Sequence, residues 1–198
     1  MKGPHGRGLG LCGSHRSGKT TLAERLSREL GIPFLRTDTS RVFLEAGIDP
    51  AMPMDFKKRL SIQEKILDAG RAVWQAQAGE KAFVTDRTPV DMMAYTLADI
   101  QGGTEADYQA LERYLSSGFE SVARHFGAFV VLQPGIPLVY QQGKARLNMA
   151  YLEHLNSLII GLCADKRSEL DFLVLDRAIV DLEDRVRAVL KWLKEINF

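Results

Sequence analysis

Cysteine is nearly missing from this chain: there are two in 198 residues, Cys12 and Cys163, far apart and each in apolar surroundings. That excludes a disulfide framework and points to a reduced, cytoplasmic compartment. No apolar run approaches the roughly 18–20 residues of a membrane span, and no signal-peptide pattern opens the sequence, so no membrane partner is expected. An excess of either charge is missing too. Twenty-six Lys and Arg against 25 Asp and Glu leave a net charge of +1, which makes no electrostatic case for nucleic acid as a required partner. The four histidines are scattered without zinc-ligand spacing. There is no internal repeat and no low-complexity tract. What remains is a 45% hydrophobic, 26% charged chain, read as one domain over residues 1–198 behind a short basic, Gly-rich lead-in.

Against that plain background one stretch stands out. An apolar run with Leu9, Leu11 and Cys12 leads into Gly13-Ser14-His15-Arg16-Ser17-Gly18-Lys19-Thr20 and then into an amphipathic helix pattern. The octapeptide fits G-x-x-x-x-G-K-[ST], the phosphate-binding P-loop, in its required strand-before, helix-after setting. Glycines at both ends let the backbone wrap an anion with its N–H groups turned inward. The following helix adds the positive end of its dipole. In this pattern Gly13 to Thr21 bind the nucleotide phosphates. Lys19 reaches the β- and γ-phosphates, and the Thr20 hydroxyl ligates Mg²⁺. His15 and Arg16 fill variable positions and are expected to offer backbone contacts.

The rest of the chain alternates short apolar strands with helices. After the P-loop helix, stopped by Gly31 and Pro33, come a strand at 32–35, a short helix at 41–46 and a loop with two prolines. A long helix runs from Phe56 to Gln77, ended by Gly79. A strand at 81–86 leads to a helix from Val90 to Ile100. Thr104 is the expected cap of a helix reaching Phe126, with Tyr108 on its inner side. The apolar strand 128–132 reads as covered on both faces. A loop from about 133 to 148 precedes a helix at 149–165, a strand at 172–176 and a final helix capped by Asp181. The pattern predicts an α/β fold: a parallel sheet with helices on both faces. Ligands in such sheets bind beyond the carboxyl ends of the strands.

That rule selects the other candidates. Asp38, after the second strand, is placed to accept a hydroxyl proton or hold a substrate sugar, although it also suits the cap of the next helix. Arg41 is placed to meet an acceptor's phosphate or carboxylate. Asp86, ending the third strand, is the expected partner of Thr20 at Mg²⁺, and Arg87 offers donors to phosphates. Asp91 reads as a surface helix residue. Lys144 and Arg146, in the loop after the fourth strand, suit a lid that closes over the transferring phosphoryl group. Trp74 and Trp192 read as core. No Asn/Thr-Lys-x-Asp element follows a strand, which argues against a GTPase.

Together the P-loop GSHRSGKT, the strand end TDRTPVDMMAY and the segment QPGIPLVYQQGKARLN resemble P-loop kinases of the nucleoside and nucleotide kinase superfamily. More narrowly they resemble ATP-binding proteins related to ribosylnicotinamide kinase. The resemblance implies a P-loop three-layer sandwich with five parallel strands in the order 2-3-1-4-5. It implies ATP with Mg²⁺ as phosphoryl donor, and a nucleoside or nucleoside monophosphate as acceptor. By the same resemblance Lys19, Asp38, Asp86 and Arg146 are catalytic, Thr20 and Asp86 hold the metal, and Asp38 and Arg87 bind substrate. Arg41 and Lys144 join the substrate-binding set from their positions after the second and fourth strands. Two departures stand against the pattern: Asp86-Arg87-Thr88 replaces the Glu-Arg-Ser usual in deoxynucleoside kinases, and the lid has one Lys and one Arg. A kinase of another metabolite or of DNA bases or ends, and a P-loop NTPase without a small acceptor, stay open, as does a homodimer.

Overall fold

A computed structural model of the protein describes residues 7–49, 52–77, 82–136 and 148–198. The elements in chain order are β1 (Gly8–Gly13), α1 (Lys19–Leu30), β2 (Phe34–Leu35), α2 (Thr39–Glu45), α3 (Phe56–Gln77), β3 (Phe83–Thr85), α4 (Pro89–Ala98), α5 (Tyr108–His125), β4 (Phe126–Leu132), α6 (Met149–Cys163), β5 (Asp171–Leu175) and α7 (Leu182–Glu195). The strands form one parallel sheet in the order β2-β3-β1-β4-β5, as the resemblance implies.

β1 is the central strand of the sheet, and all six of its residues are buried. A Cβ on Gly10 would lie 2.5 Å from the Phe129 ring and 2.7 Å from the Thr88 methyl, so only glycine lets those two side chains pack over β1 here. Alternation then divides the core. Leu9, Leu11, Val84, Ala128 and Val130 pack under α1 and α7, while Cys12, Phe83, Phe129 and Val131 pack against the α3–α6 side. No helix among the described residues is long and apolar enough to cross a membrane.

Helix ends follow their local chemistry. α1 stops at Gly31, whose φ of 65° closes the turn with its N–H on the Ser27 carbonyl. α5 differs from the sequence expectation at both ends. Its cap is Asp107, which accepts from the amides of Gln109 and Ala110 at 3.0 Å; Thr104 instead accepts from Gln101 N in the preceding turn. Tyr108 therefore sits in the first turn with 68% exposure rather than inside. Phe126 belongs to β4, where it packs between Trp74 and Phe129. Helix and strand join without a loop, so the 3.6-residue period runs on by one residue into a strand.

Candidate active site

The loop between β1 and α1 is shaped by two glycines. Gly13 has φ +152° and Gly18 φ +89°. A Cβ on Gly13 would meet the Leu132 carbonyl at 2.6 Å, and one on Gly18 would meet the Ile136 side chain at 2.9 Å. Arg16, at the crest, takes a left-handed φ of 62°, the alternation that turns successive amides to one side as an anion nest. Gly18 caps α1 with no side chain over the helix end. The first amides of α1 therefore face the loop's interior with the positive dipole end behind them. Lys19 arches back, its Nζ donating to the carbonyls of Gly13 at 2.5 Å and Ser14 at 2.8 Å. Burial pushes its ammonium below the usual lysine range, opposed by the charge of Asp91.

Three of the six buried polar side-chain atoms without a partner among the described residues lie in this loop: Ser14 Oγ, His15 Nε2 and Ser17 Oγ. Such groups are rare in a finished core, so their concentration marks a ligand surface. A cavity of about 530 Å³ is lined by His15, Arg16, Gly18 to Thr21, Asp86 and Arg87. Within it the Thr20 hydroxyl donates to Asp86 Oδ2. Thus β1 and β3, adjacent in the sheet, bring the two expected metal residues into contact. A hydroxyl and a carboxylate are the hard-oxygen donors that Mg²⁺ takes alongside substrate phosphates, so this pair fits that ion. Among the described residues no group of three His, Cys, Asp or Glu forms a separate metal cluster.

Asp38 and Arg41 stand apart from this cavity. Asp38 is exposed at the end of β2 and caps α2, accepting from Arg41 N at 3.1 Å. The Arg41 guanidinium pairs with Glu45 at 2.6 Å and its side chain is 72% exposed. Lys144 and Arg146 lie outside the described residues.

Asp91 is not on the surface. It is 1% exposed; Oδ1 accepts from Gly13 N at 2.9 Å, and Oδ2 from Thr88 Oγ1 at 2.9 Å. Thr88 caps α4, and Asp91, three residues on, closes the reciprocal capping box. Burial pushes the Asp91 carboxyl up, and Lys19 and the Gly13 amide pull it back down. One turn further, the Tyr95 hydroxyl accepts from His15 N at 3.0 Å. So α4 holds the P-loop at alternate amides with residues four apart. The Thr-x-x-Asp spacing is a visible signal for the capping box. No local pattern signals that the box also holds Gly13. The remaining unexpected contact comes from α7: Arg185 donates to the carbonyls of Ser17 at 2.9 Å and Ile179 at 2.7 Å.

A family model described as an AAA domain matches residues 10–148, which takes in the P-loop, Asp86-Arg87 and the loop after β4. The chain belongs to that family. No curated protein matches it. Among solved structures, deoxyadenosine kinase from M. mycoides aligns with a TM-score of 0.66 at 17% identity, covering 96% of this chain and 99% of its own. Thymidylate kinase from Candida albicans aligns at 0.71 and 13%, covering 98% and 93%. NadR protein in complex with NR aligns at 0.67 and 14%, covering 96% of this chain and 50% of that one. At these identities the likeness establishes the fold: this AAA-domain protein has the architecture of P-loop nucleoside and nucleotide kinases.

Proposed function

We propose that the protein is an ATP- and Mg²⁺-dependent kinase that moves the γ-phosphoryl group to a small acceptor, a nucleoside or nucleoside monophosphate. The observation that carries the reading is the Thr20–Asp86 hydrogen bond at the mouth of the Lys19-closed P-loop. A phosphate cradle alone binds nucleotide. A cradle with a hydroxyl and a carboxylate already paired beside it has the donor set for the metal of phosphoryl transfer. The structural relatives support the acceptor class, since they are a deoxyadenosine kinase, a thymidylate kinase and a protein bound to NR.

In this reading the loop amides that α4 does not already take, with Lys19, hold the triphosphate and stabilise the charge that grows on the transferring group. The Gly13 and His15 amides, bonded to Asp91 and Tyr95, fix the loop's shape. Thr20 and Asp86 would hold Mg²⁺, which supplies charge neutralisation across the phosphate oxygens. Arg87, at the same cavity, binds the acceptor side. Asp38 orients an acceptor hydroxyl, with Arg41 beside it. Lys144 and Arg146 are proposed, from the sequence, to help exclude water. The test is ADP formation from Mg-ATP across a panel of nucleosides, nucleoside monophosphates and pyridine ribosides. Stimulation by at least one class, with a phosphorylated product of matching mass, is expected. An ATPase rate indifferent to all of them would overturn the reading.

A further inference from the structure

Arg185 is the one arginine of α7 that points inward, and its surroundings are unusual. It is 3% exposed. Among the described residues both of its hydrogen bonds go to backbone carbonyls, Ile179 O at 2.7 Å and Ser17 O at 2.9 Å. Arginines elsewhere in the fold, such as Arg25, Arg59, Arg71 and Arg177, pair with carboxylates. Arg185 has no carboxylate partner among the described residues, and burial alone pulls its guanidinium below the ordinary range. A buried cation costs several kcal/mol unless something of opposite charge offsets it. Two neutral carbonyls orient the group without neutralising it.

Its position says what the counter-charge is. The guanidinium lies against the outer side of the P-loop, with Nη1 3.2 Å from where a Cβ on Gly18 would stand. Ser17 O and Gly18 N–H belong to one peptide unit, and in a trans peptide they point in opposite directions. A donor on the Ser17 carbonyl therefore polarises the Gly18 N–H on the opposite side of that peptide. The same contact fixes that peptide's orientation at the residue where φ is +89°. Arg185 is thus a second cation for the cradle, on the outer side of its backbone, while Lys19 occupies the inner side.

We propose that Arg185 is a positioning residue of the phosphate cradle, and that a bound polyphosphate anion is its missing counter-charge. The inference rests on the nucleotide-phosphate reading of the P-loop but not on any acceptor. It also implies that the charge is kept for binding and gives the ligand-free fold little.

The test is calorimetric titration of Mg-ATP into the whole protein and its Arg185→Lys and Arg185→Gln variants, beside melting curves without ligand. Arg185→Gln keeps a donor and removes the charge; ATP affinity is expected to fall about tenfold with the melting temperature nearly unchanged. Arg185→Lys keeps the charge but not the fork that reaches both carbonyls, and is expected to bind ATP more weakly than the parent and more tightly than Arg185→Gln. If the Gln variant does not fold, Arg185→Met, which keeps the apolar stem, takes its place. Equal affinity in all three proteins would overturn the proposal, as would losses in both variants that track a common fall in melting temperature. A parent that fails to bind ATP overturns this and the kinase reading together. A parent that binds ATP and phosphorylates nothing overturns only the kinase reading.

Discussion

The P-loop, or donor side, and the segment proposed to meet the acceptor, or acceptor side, follow strands of one sheet and are built in opposite ways. On the donor side the P-loop is held from three directions. Asp91 and Tyr95 take the amides of Gly13 and His15 from α4, Arg185 takes the Ser17 carbonyl from α7, and Lys19 ties the loop to itself. On the acceptor side β2 is two residues long and α2 seven, with Val42 the only buried residue of that helix. Asp38 and Arg41 face solvent and pair mainly with their own neighbours. The proposed transfer chemistry would account for the contrast. The triphosphate is the same in every turnover, so its site can be set in advance, whereas an acceptor pocket gains selectivity by assembling around the right molecule.

The contrast breaks hardest at Lys19. Lys19→Met is expected to lower kcat by about 10²–10³-fold, because a charge facing the transferring group is lost. Melting is expected to fall slightly, since the Gly13 and Ser14 carbonyls lose their donor while burial already disfavours that ammonium. Next comes Asp91→Ala. It leaves the Gly13 amide buried and unpaired and removes half of the α4 capping box, for a cost of about 2–4 kcal/mol in thermal or denaturant unfolding. Asp91→Asn, which keeps an oxygen for Gly13, should cost less. Asp38→Asn sharpens the acceptor side. A hydroxyl acceptor predicts a kcat loss of about 10²-fold in steady-state assays, and a phosphate acceptor, which needs no base, predicts a small one.

A smaller effect separates buried from exposed by pH. Burial holds the His15 and His125 imidazoles below the ordinary value of 6.5. As pH falls, the unfolded chain therefore takes up protons before the fold does. The histidine contribution to stability is full above about pH 6.5 and declines below it. Melting at pH 5.5 is expected to lie below that at pH 7.5, with a smaller drop in a His125→Gln variant.

The fold is legible in the sequence because apolar period and glycine placement each state a local rule. Strands of alternating or continuous apolar residues, helices stopped at Gly31 and the P-loop spacing all lead to the observed sheet. The order of its strands comes from resemblance. Of the site, Lys19, Thr20, Asp86 and Arg87 are legible and do line one cavity. Asp91 reads as a surface residue because a carboxylate on a helix is usually solvated. Its burial depends on Gly13 arriving from 78 residues away, which no local pattern encodes. Arg185 escapes for the same reason. It sits on the apolar stripe of α7 with Leu182, Val186 and Val189, and its charge has meaning only once Ser17 is beside it.

The central claim, a donor side set in advance and an acceptor side set by its ligand, is tested most directly by amide hydrogen exchange. It would be read at residues 13–20 and 37–46, without ligand, with Mg-ATP and with an active acceptor. The account predicts slow exchange at Gly13 and His15 before any ligand is added. It predicts fast exchange through α2 that slows when the acceptor binds and hardly changes with Mg-ATP. Fast exchange at Gly13 and His15 in the free protein, or an α2 already protected without acceptor, would contradict it.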